Sequence, residues 1–256
     1  MLLTIDAGNT NITLGVWEND TLRFRARLAT ERRLTADQLA MQLFDAFRLN
    51  GVDPAACTDA VIACVVAELS HAITAAARKL TGRDPLVVAP GVKTGLNIKI
   101  DDPAQLAADL IATGVGAKSL YPLPCLVIDL GTATKITVLA ADGSLVGGII
   151  TAGLMMSMEA LSAETSLLPR VALHAPPRLI GSNTVDCIQA GLVLGAAAML
   201  DGLLERMEAE LGQPAFTVAT GGFAHAVIPH CKRAMTHSED LALLGLRRIY
   251  AKNRSG

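Results

Sequence analysis

One stretch of this chain is written twice. Leu2-Leu3-Thr4-Ile5-Asp6-Ala7-Gly8-Asn9-Thr10 runs on through Ile12-Thr13-Leu14 and a polar Glu18-Asn19-Asp20 to Leu22. Leu126-Val127-Ile128-Asp129-Leu130-Gly131-Thr132-Ala133-Thr134 runs on through Ile136-Thr137-Val138 and Asp142-Gly143 to Leu145. Each copy is an apolar run, an Asp-x-Gly turn with hydroxyl residues, a second apolar run, a tight turn and a third run. That reads as three strands joined by two hairpins. In the third strand of the first copy Leu22, Phe24, Ala26 and Leu28 alternate with Arg23, Arg25 and Arg27, as in an antiparallel strand with one wet face. Two copies of one α/β unit predict two related lobes, with mixed sheets flanked by helices and a cleft between them.

Helical patterns follow each copy. Thr35-Ala36-Asp37-Gln38 reads as a capping box, Leu39, Leu43 and Phe47 line one face, and Gly51 is a natural stop. Residues 60–66 read as a buried strand, 68–80 as a helix and 86–88 as a short strand. Asp102-Pro103 carries the cap and first-turn proline of a further helix, which puts Asp109 a turn or two inside it. In the second half a helix spans about 183–211, with Gly191 and Gly195 as weak points. A strand over 216–219 ends at Thr220-Gly221-Gly222, and a last helix covers about 241–250. The boundary falls at 118–122, before Tyr121-Pro122-Leu123-Pro124. Residues 1–118 form the first lobe and 119–256 the second, closely packed and able to move as a hinge, since no flexible linker separates them.

An Asp at a strand end followed by Gly gives a tight turn whose backbone amides can reach an anion. Thr10, Thr132 and Thr134 add hydroxyl donors for phosphate oxygens. The carboxylates of Asp6 and Asp129 repel phosphate and are suited instead to a cation or its waters. Thr220-Gly221-Gly222 closes a strand just before a helix, where bare backbone can approach a ring or ribose; it also reads as an ordinary strand-to-helix turn. Gly147-Gly148 reads equally as a bulge or a ligand contact.

Composition narrows the partners. Apolar residues make up 51% of the 256 and charged ones 18%, enough to bury a core, while aromatics at 3% leave that core to Ala, Val, Ile and Leu. A net charge of -2, with no basic helix and no aromatic stacking motif, argues against a nucleic-acid partner. Arg23, Arg25, Arg27, Arg32 and Arg33 read as an outward strand face and its flank. No unbroken apolar run reaches the roughly 18 residues of a membrane span. Met1 leads directly into an apolar strand with no basic leader, and the expected location is the cytoplasm. Cys57, Cys64, Cys125, Cys187 and Cys231 have no paired spacing and read as reduced thiols; the five histidines make no metal-ligand pattern.

Taken in order, these motifs resemble the type III pantothenate kinases, nearly end to end. Asp6-Ala7-Gly8-Asn9-Thr10 with Gly15 is similar to the family's first phosphate motif and Asp129-Leu130-Gly131-Thr132-Ala133-Thr134 to its second. Lys93-Thr94-Gly95-Leu96, Asp102-Pro103 and Ala108-Asp109 resemble its middle section. Gly181-Ser182-Asn183-Thr184 with Gln189-Ala190-Gly191, Thr220-Gly221-Gly222 and Leu243-Leu244-Gly245-Leu246 resemble its C-terminal half. The resemblance implies the actin-like ATPase fold, with two ribonuclease H-like lobes. It implies transfer of the ATP γ-phosphoryl group to pantothenate, the first step towards coenzyme A, by a homodimer with the substrate site at the subunit interface. It also implies Mg²⁺ and a monovalent cation, K⁺ or NH₄⁺. On that resemblance Asp6 organises Mg²⁺. Gly8, Asn9, Thr10, Gly131, Thr132, Ala133, Thr134, Gly221 and Gly222 bind nucleotide. Asp109 is the general base, Thr94, Gly95, Ala107, Ala108, Leu110 and Thr184 lie at pantothenate, and Asp129 sits at the monovalent cation.

Three positions depart from the family pattern: Leu110 stands where an Arg is usual, Lys135 where a Thr is usual and Ala152 where a Pro is usual. Leucine cannot replace a guanidinium as a bidentate anion clamp. Lys135 reads either as a solvent-facing strand residue or as a replacement for the missing charge. An active kinase and a divergent paralogue that keeps the fold, with or without nucleotide binding, both fit these departures. So does a kinase for another small acceptor on the same scaffold, because fold alone does not choose the chemistry.

Overall fold

The computed structural model describes residues 1–254. In chain order its elements are β1 (Leu2–Ala7), β2 (Asn11–Glu18), β3 (Thr21–Ala29), α1 (Ala36–Leu49), β4 (Asp59–Cys64), α2 (Ala67–Thr81), β5 (Leu86–Val87), β6 (Asn97–Ile98), α3 (Ala108–Leu120), β7 (Cys125–Leu130), β8 (Ala133–Leu139), β9 (Ser144–Ala152), α4 (Leu154–Ala163), α5 (Thr184–Gln189), α6 (Gly195–Leu211), β10 (Phe216–Thr220), α7 (Ala224–Val227), β11 (Thr236–His237) and α8 (Leu241–Arg254).

The chain makes two compact units. One comprises Met1–Leu96, Asp101–Ser119 and the segment from Asp240 onward; the other comprises Asn97–Ile100 and Leu120–Glu239. A single cut at 118/119 therefore misses two crossings, because β6 joins the second sheet and α8 returns to the first unit.

The repeat read in the sequence is a repeat of topology. The first sheet has the order β3-β2-β1-β4-β5, and the second repeats it as β9-β8-β7-β10-β11, with β6 added beside β9. In each, the first three strands are antiparallel and the last two run parallel to the first. Even the irregularities correspond: the register shifts at Val16/Trp17 in β2 and at Val138/Leu139 in β8. Gly147, at φ 151°, lies at the second of these, where Val146 is the extra residue, so the Gly147-Gly148 pair flanks a bulge.

Burial explains why each copy closes. In the first unit Leu3, Ile5, Ile12 and Leu14 from the sheet meet Leu39, Leu43 and Phe47 of α1 and Leu69 and Ile73 of α2, all at 1% exposure or less. The capping box is formed: the Gln38 amide donates to Thr35 Oγ1 at 3.3 Å and the Thr35 amide to Gln38 Oε1 at 2.9 Å. In the same unit α8 crosses α3 at its glycines. A methyl built on Gly245 would lie 1.8 Å from the Ala112 carbonyl oxygen, and one on Gly116 2.3 Å from that of Leu241.

In the second unit Leu126, Ile128, Leu130 and Ile136 pack against Val193, Ala197, Leu200 and Leu204. The expected long helix is present over Thr184–Leu211, but Ala190–Leu194 is a π-helical segment joining α5 to α6. It holds Gly191 and ends at Gly195, the two weak points. By length and composition this is the one helix among the described residues able to cross a membrane, with a mean hydropathy of 1.7 over its best window. Half of that window is buried, as in a core helix.

The Asp102-Pro103 reading needs correction. Asp102 Oδ1 accepts from the Ala104 amide at 3.1 Å, but the turn it caps is only a 3-10 turn over Pro103–Gln105. Leu106 leaves it extended, and α3 starts afresh at Ala108. Asp109 therefore belongs to the first turn of α3.

Candidate active site

The first unit carries the first Asp-x-Gly turn at the end of β1. Asp6 is half-buried and pairs across the sheet with Thr13. The Gly8 amide donates to the Asn11 carbonyl at 3.0 Å, so the loop from Gly8 to Asn11 is closed on itself. Thr30 fastens it from β3's end, its hydroxyl donating to the Gly8 carbonyl at 2.7 Å and its amide to that of Thr10 at 3.0 Å. Asn9 and Thr10 are exposed at the tip.

Asp109 is half-buried, and its Oδ1 accepts from the Leu110 amide at 2.8 Å. The Thr113 hydroxyl donates to its carbonyl at 3.0 Å. The side chain is thus oriented by the first turn of its own helix, where amides lack intrahelical partners. Ala107, Ala108 and Leu110 beside it are half-buried.

Thr94 and Gly95 sit on a loop that distant residues hold. Asn253 of α8 accepts from the Lys93 amide at 3.2 Å and donates to its carbonyl at 2.9 Å, and the Lys118 ammonium donates to the Gly95 carbonyl at 3.2 Å. Gly95 has φ 78°, in the left-handed region. No local pattern in the sequence signals these ties.

The second unit brings several predicted residues together. Its turn is tighter than the first, with the Gly131 amide donating to the Ala133 carbonyl at 3.2 Å. The loop is one residue shorter between equivalent strands, so Asp129 pairs across the sheet with Lys135, where Asp6 pairs with Thr13. Lys135 Nζ lies 2.9 Å from Asp129 Oδ2. The two side chains are only 17% and 19% exposed, so Lys135 is no solvent-facing strand residue.

Gly221, at φ 93°, presses on the same turn. A methyl there would come 2.6 Å from the Leu130 carbonyl and 2.7 Å from Asp129 Oδ1. The Phe223 amide donates to the Leu130 carbonyl at 3.0 Å. Gly153, which caps α4, has room for no side chain either, since its methyl would sit 2.3 Å from the Thr132 carbonyl. The Gly131–Thr134 turn is therefore walled by bare backbone at Gly153 and Gly221, and the closeness of Gly153 has no signature in the sequence. Thr132 and Gly222 are exposed, whereas Thr134 is buried at 1% with its hydroxyl withdrawn from solvent. Thr184 is exposed on the first turn of α5, whose cap Asn183 accepts from the Asp186 amide at 2.9 Å.

The five cysteines are free. Burial pushes the Cys57 thiol up to about 11 and that of Cys125 to about 12, so these core sulfurs stay protonated at neutral pH.

Solved structures share this architecture. A Baf family transcriptional activator from Campylobacter jejuni matches 99% of this chain and 100% of its own, with TM-score 0.60 and 17% identity. The activator of 2-hydroxyisocaproyl-CoA dehydratase from Clostridium difficile, with ADPNP bound, matches 98% of this chain and 93% of its own, with TM-score 0.57 and 13% identity. The repeated sheet and its turns define the α/β fold of the actin-like ATPases, built from two related ribonuclease H-like halves.

The sequence narrows the class further. The family model for type III pantothenate kinase matches residues 2–206. A type III pantothenate kinase from Moorella thermoacetica is 41% identical over 253 residues, covering 99% of this chain and 100% of its own. This chain belongs to the type III pantothenate kinase family.

Proposed function

We propose that this chain transfers the γ-phosphoryl group of ATP to the primary hydroxyl of pantothenate, forming 4'-phosphopantothenate, the first step towards coenzyme A. The reading is carried by the whole-length identity to a relative of that name, which the retained acid Asp109 supports. The divergent-paralogue reading draws on Leu110, Lys135 and Ala152 alone.

Phosphoryl transfer asks a protein for positioning and charge stabilisation more than for covalent chemistry. In this reading Asn9 and Thr10 in the first unit, and Thr132 and Ala133 in the second, offer amides and hydroxyls to phosphate oxygens, while Gly8 and Gly131, whose amides close their own turns, give the phosphates bare backbone to approach. Thr134 would have to turn outward to join them. Gly221 and Gly222 offer bare backbone to the nucleoside. Asp109, oriented by the Leu110 amide, takes the proton of the attacking hydroxyl. Thr94, Gly95, Ala107, Ala108 and Leu110 are the proposed acceptor residues of the first unit, and Thr184 that of the second.

Asp6 fits Mg²⁺. Among the described residues no three His, Cys, Asp or Glu side chains gather into a protein-only cage. One hard carboxylate at a phosphate turn suits an ion commonly held by one or two carboxylates, waters and the substrate's own phosphates. Bound there, Mg²⁺ would supply neutralisation of the charge that develops on the transferred group.

Asp129 does not fit an added monovalent cation, because Lys135 already faces its carboxylate.

A homodimer is supported by apolar side chains left at the surface of the second unit, among them Ile150, Leu167, Leu179 and Ile180 at 69–89% exposure. Gly191, Gly195 and Ala198 form an exposed small-residue stripe on the long helix that would admit close packing. The carboxylate partners of Arg23, Arg25 and Arg32 favour a small-molecule substrate over nucleic acid. A cytoplasmic location is proposed from the family alone, and the half-buried long helix fits a core element.

A coupled ADP-release assay across small hydroxyl and carboxylate acceptors tests the reading. Turnover with pantothenate and Mg²⁺, and with no sugar or acetate, is the expected result. Turnover on another acceptor alone, or nucleotide binding without turnover, overturns it.

A further inference from the structure

The two halves of the repeat treat their acidic residues differently. Asp6 and Asp129 occupy the same place in equivalent strands, yet Thr13 lies across from one and Lys135 across from the other. Cross-strand neighbours in an antiparallel pair stand within side-chain reach, so the register itself delivers the lysine to the carboxylate. The pair is close, at 2.9 Å, and less than a fifth of either side chain is exposed. The other carboxylate oxygen of Asp129 is walled by backbone, since methyls on Gly131 and Gly221 would fall 3.2 and 2.7 Å from it. A partly buried carboxylate needs a counter-charge, and here one is covalently attached.

We propose that the Lys135 ammonium is a built-in monovalent cation at Asp129, so that this chain needs no K⁺ or NH₄⁺ for activity. An alkylammonium is an ammonium ion with one N–H replaced by a carbon tether; it keeps a single positive charge and three donors. With that charge in place, a second cation would meet repulsion across a few ångströms of poorly solvated protein. Asp129 carries one negative charge, and the Lys135 ammonium faces it at 2.9 Å. The lysine that departs from the family pattern therefore takes over an ion's place and does not replace the arginine missing at Leu110.

The activity arm of the test rests on the kinase reading, and the stability arm does not. Turnover is measured in potassium chloride and in tetramethylammonium chloride at equal ionic strength. Thermal unfolding is followed in the same two salts for the wild type and for Lys135→Thr and Lys135→Met. Wild-type turnover is expected to be the same in both salts, and its unfolding midpoint to show no potassium-specific rise. Lys135→Thr, which opens space and removes the charge, should lose roughly 100-fold in tetramethylammonium. It should recover with potassium and gain a potassium-specific rise in midpoint. Lys135→Met removes the charge but fills the space, and potassium should rescue neither property.

Potassium activation of the wild type, or a potassium-specific rise in its midpoint, overturns the proposal even if neither variant folds. An absence of pantothenate turnover in every salt would defeat the kinase reading alone. The contrast in midpoint between wild type and Lys135→Thr would still decide the cation question.

Discussion

At Leu110 the departure from the family is a loss of charge next to the proposed base. Its amide holds Asp109 Oδ1 at 2.8 Å, so the backbone part of the site is intact while the side chain offers no donor. Pantothenate is an anion, and a guanidinium at this position would add charge-assisted hydrogen bonds to it. Leu110→Arg should therefore lower the KM for pantothenate by roughly tenfold, with less change in kcat. Steady-state kinetics check this; an unchanged KM would mean that residue 110 does not face the acceptor. Lys135 shows why a single residue was hard to read. Alternation along β8 leaves either face open to it, and only the shortened turn from Gly131 to Ala133 sets the register that puts it opposite Asp129.

Between elements, the first unit depends on how closely α8 approaches α3. Gly245 and Gly116 allow that approach, and a methyl on Gly245 would lie 1.8 Å from the Ala112 carbonyl oxygen, which belongs to rigid helical backbone. Gly245→Ala must push the helices apart and should cost about 1–3 kcal/mol, which lowers the Tm by roughly 2–10 °C. Gly202→Ala on α6 is the control: a methyl there meets nothing within 4 Å, so replacing a mid-helix glycine should raise the Tm slightly. Differential scanning calorimetry separates the two, and equal effects would remove the packing argument. At this scale the sequence was legible where signals are local. The capping box of α1, the alternation in β3 and the limits of α2 are all short-range patterns. It was less so at Asp102-Pro103, where a sound cap closed only a 3-10 turn because the chain turns extended at Leu106.

Across the whole molecule the repeat was the legible part, since two copies of strand, Asp-x-Gly turn and hairpin imply one topology used twice. The crossings were not legible. Nothing in residues 97–100 announces a strand added to the second sheet, and nothing in residues 240–254 announces a helix returning to the first unit. Those choices are made by packing at long sequence separation, as are the Asn253 hydrogen bonds that hold the loop before Thr94. Among the candidate site residues, the turns and Asp109 could be read from motif. The glycine walls at Gly153 and Gly221 and the ion pair at Asp129 needed the fold. Catalysis in the proposed reaction turns on Asp109 accepting the proton of pantothenate. Product formation from ATP and pantothenate, followed by mass spectrometry for wild type and Asp109→Asn, tests that directly. Phosphopantothenate from the wild type and a loss of about 100-fold or more in kcat for the variant, at unchanged Tm, is the predicted result. A variant that forms product at the wild-type rate, or a wild type that forms none, would contradict it.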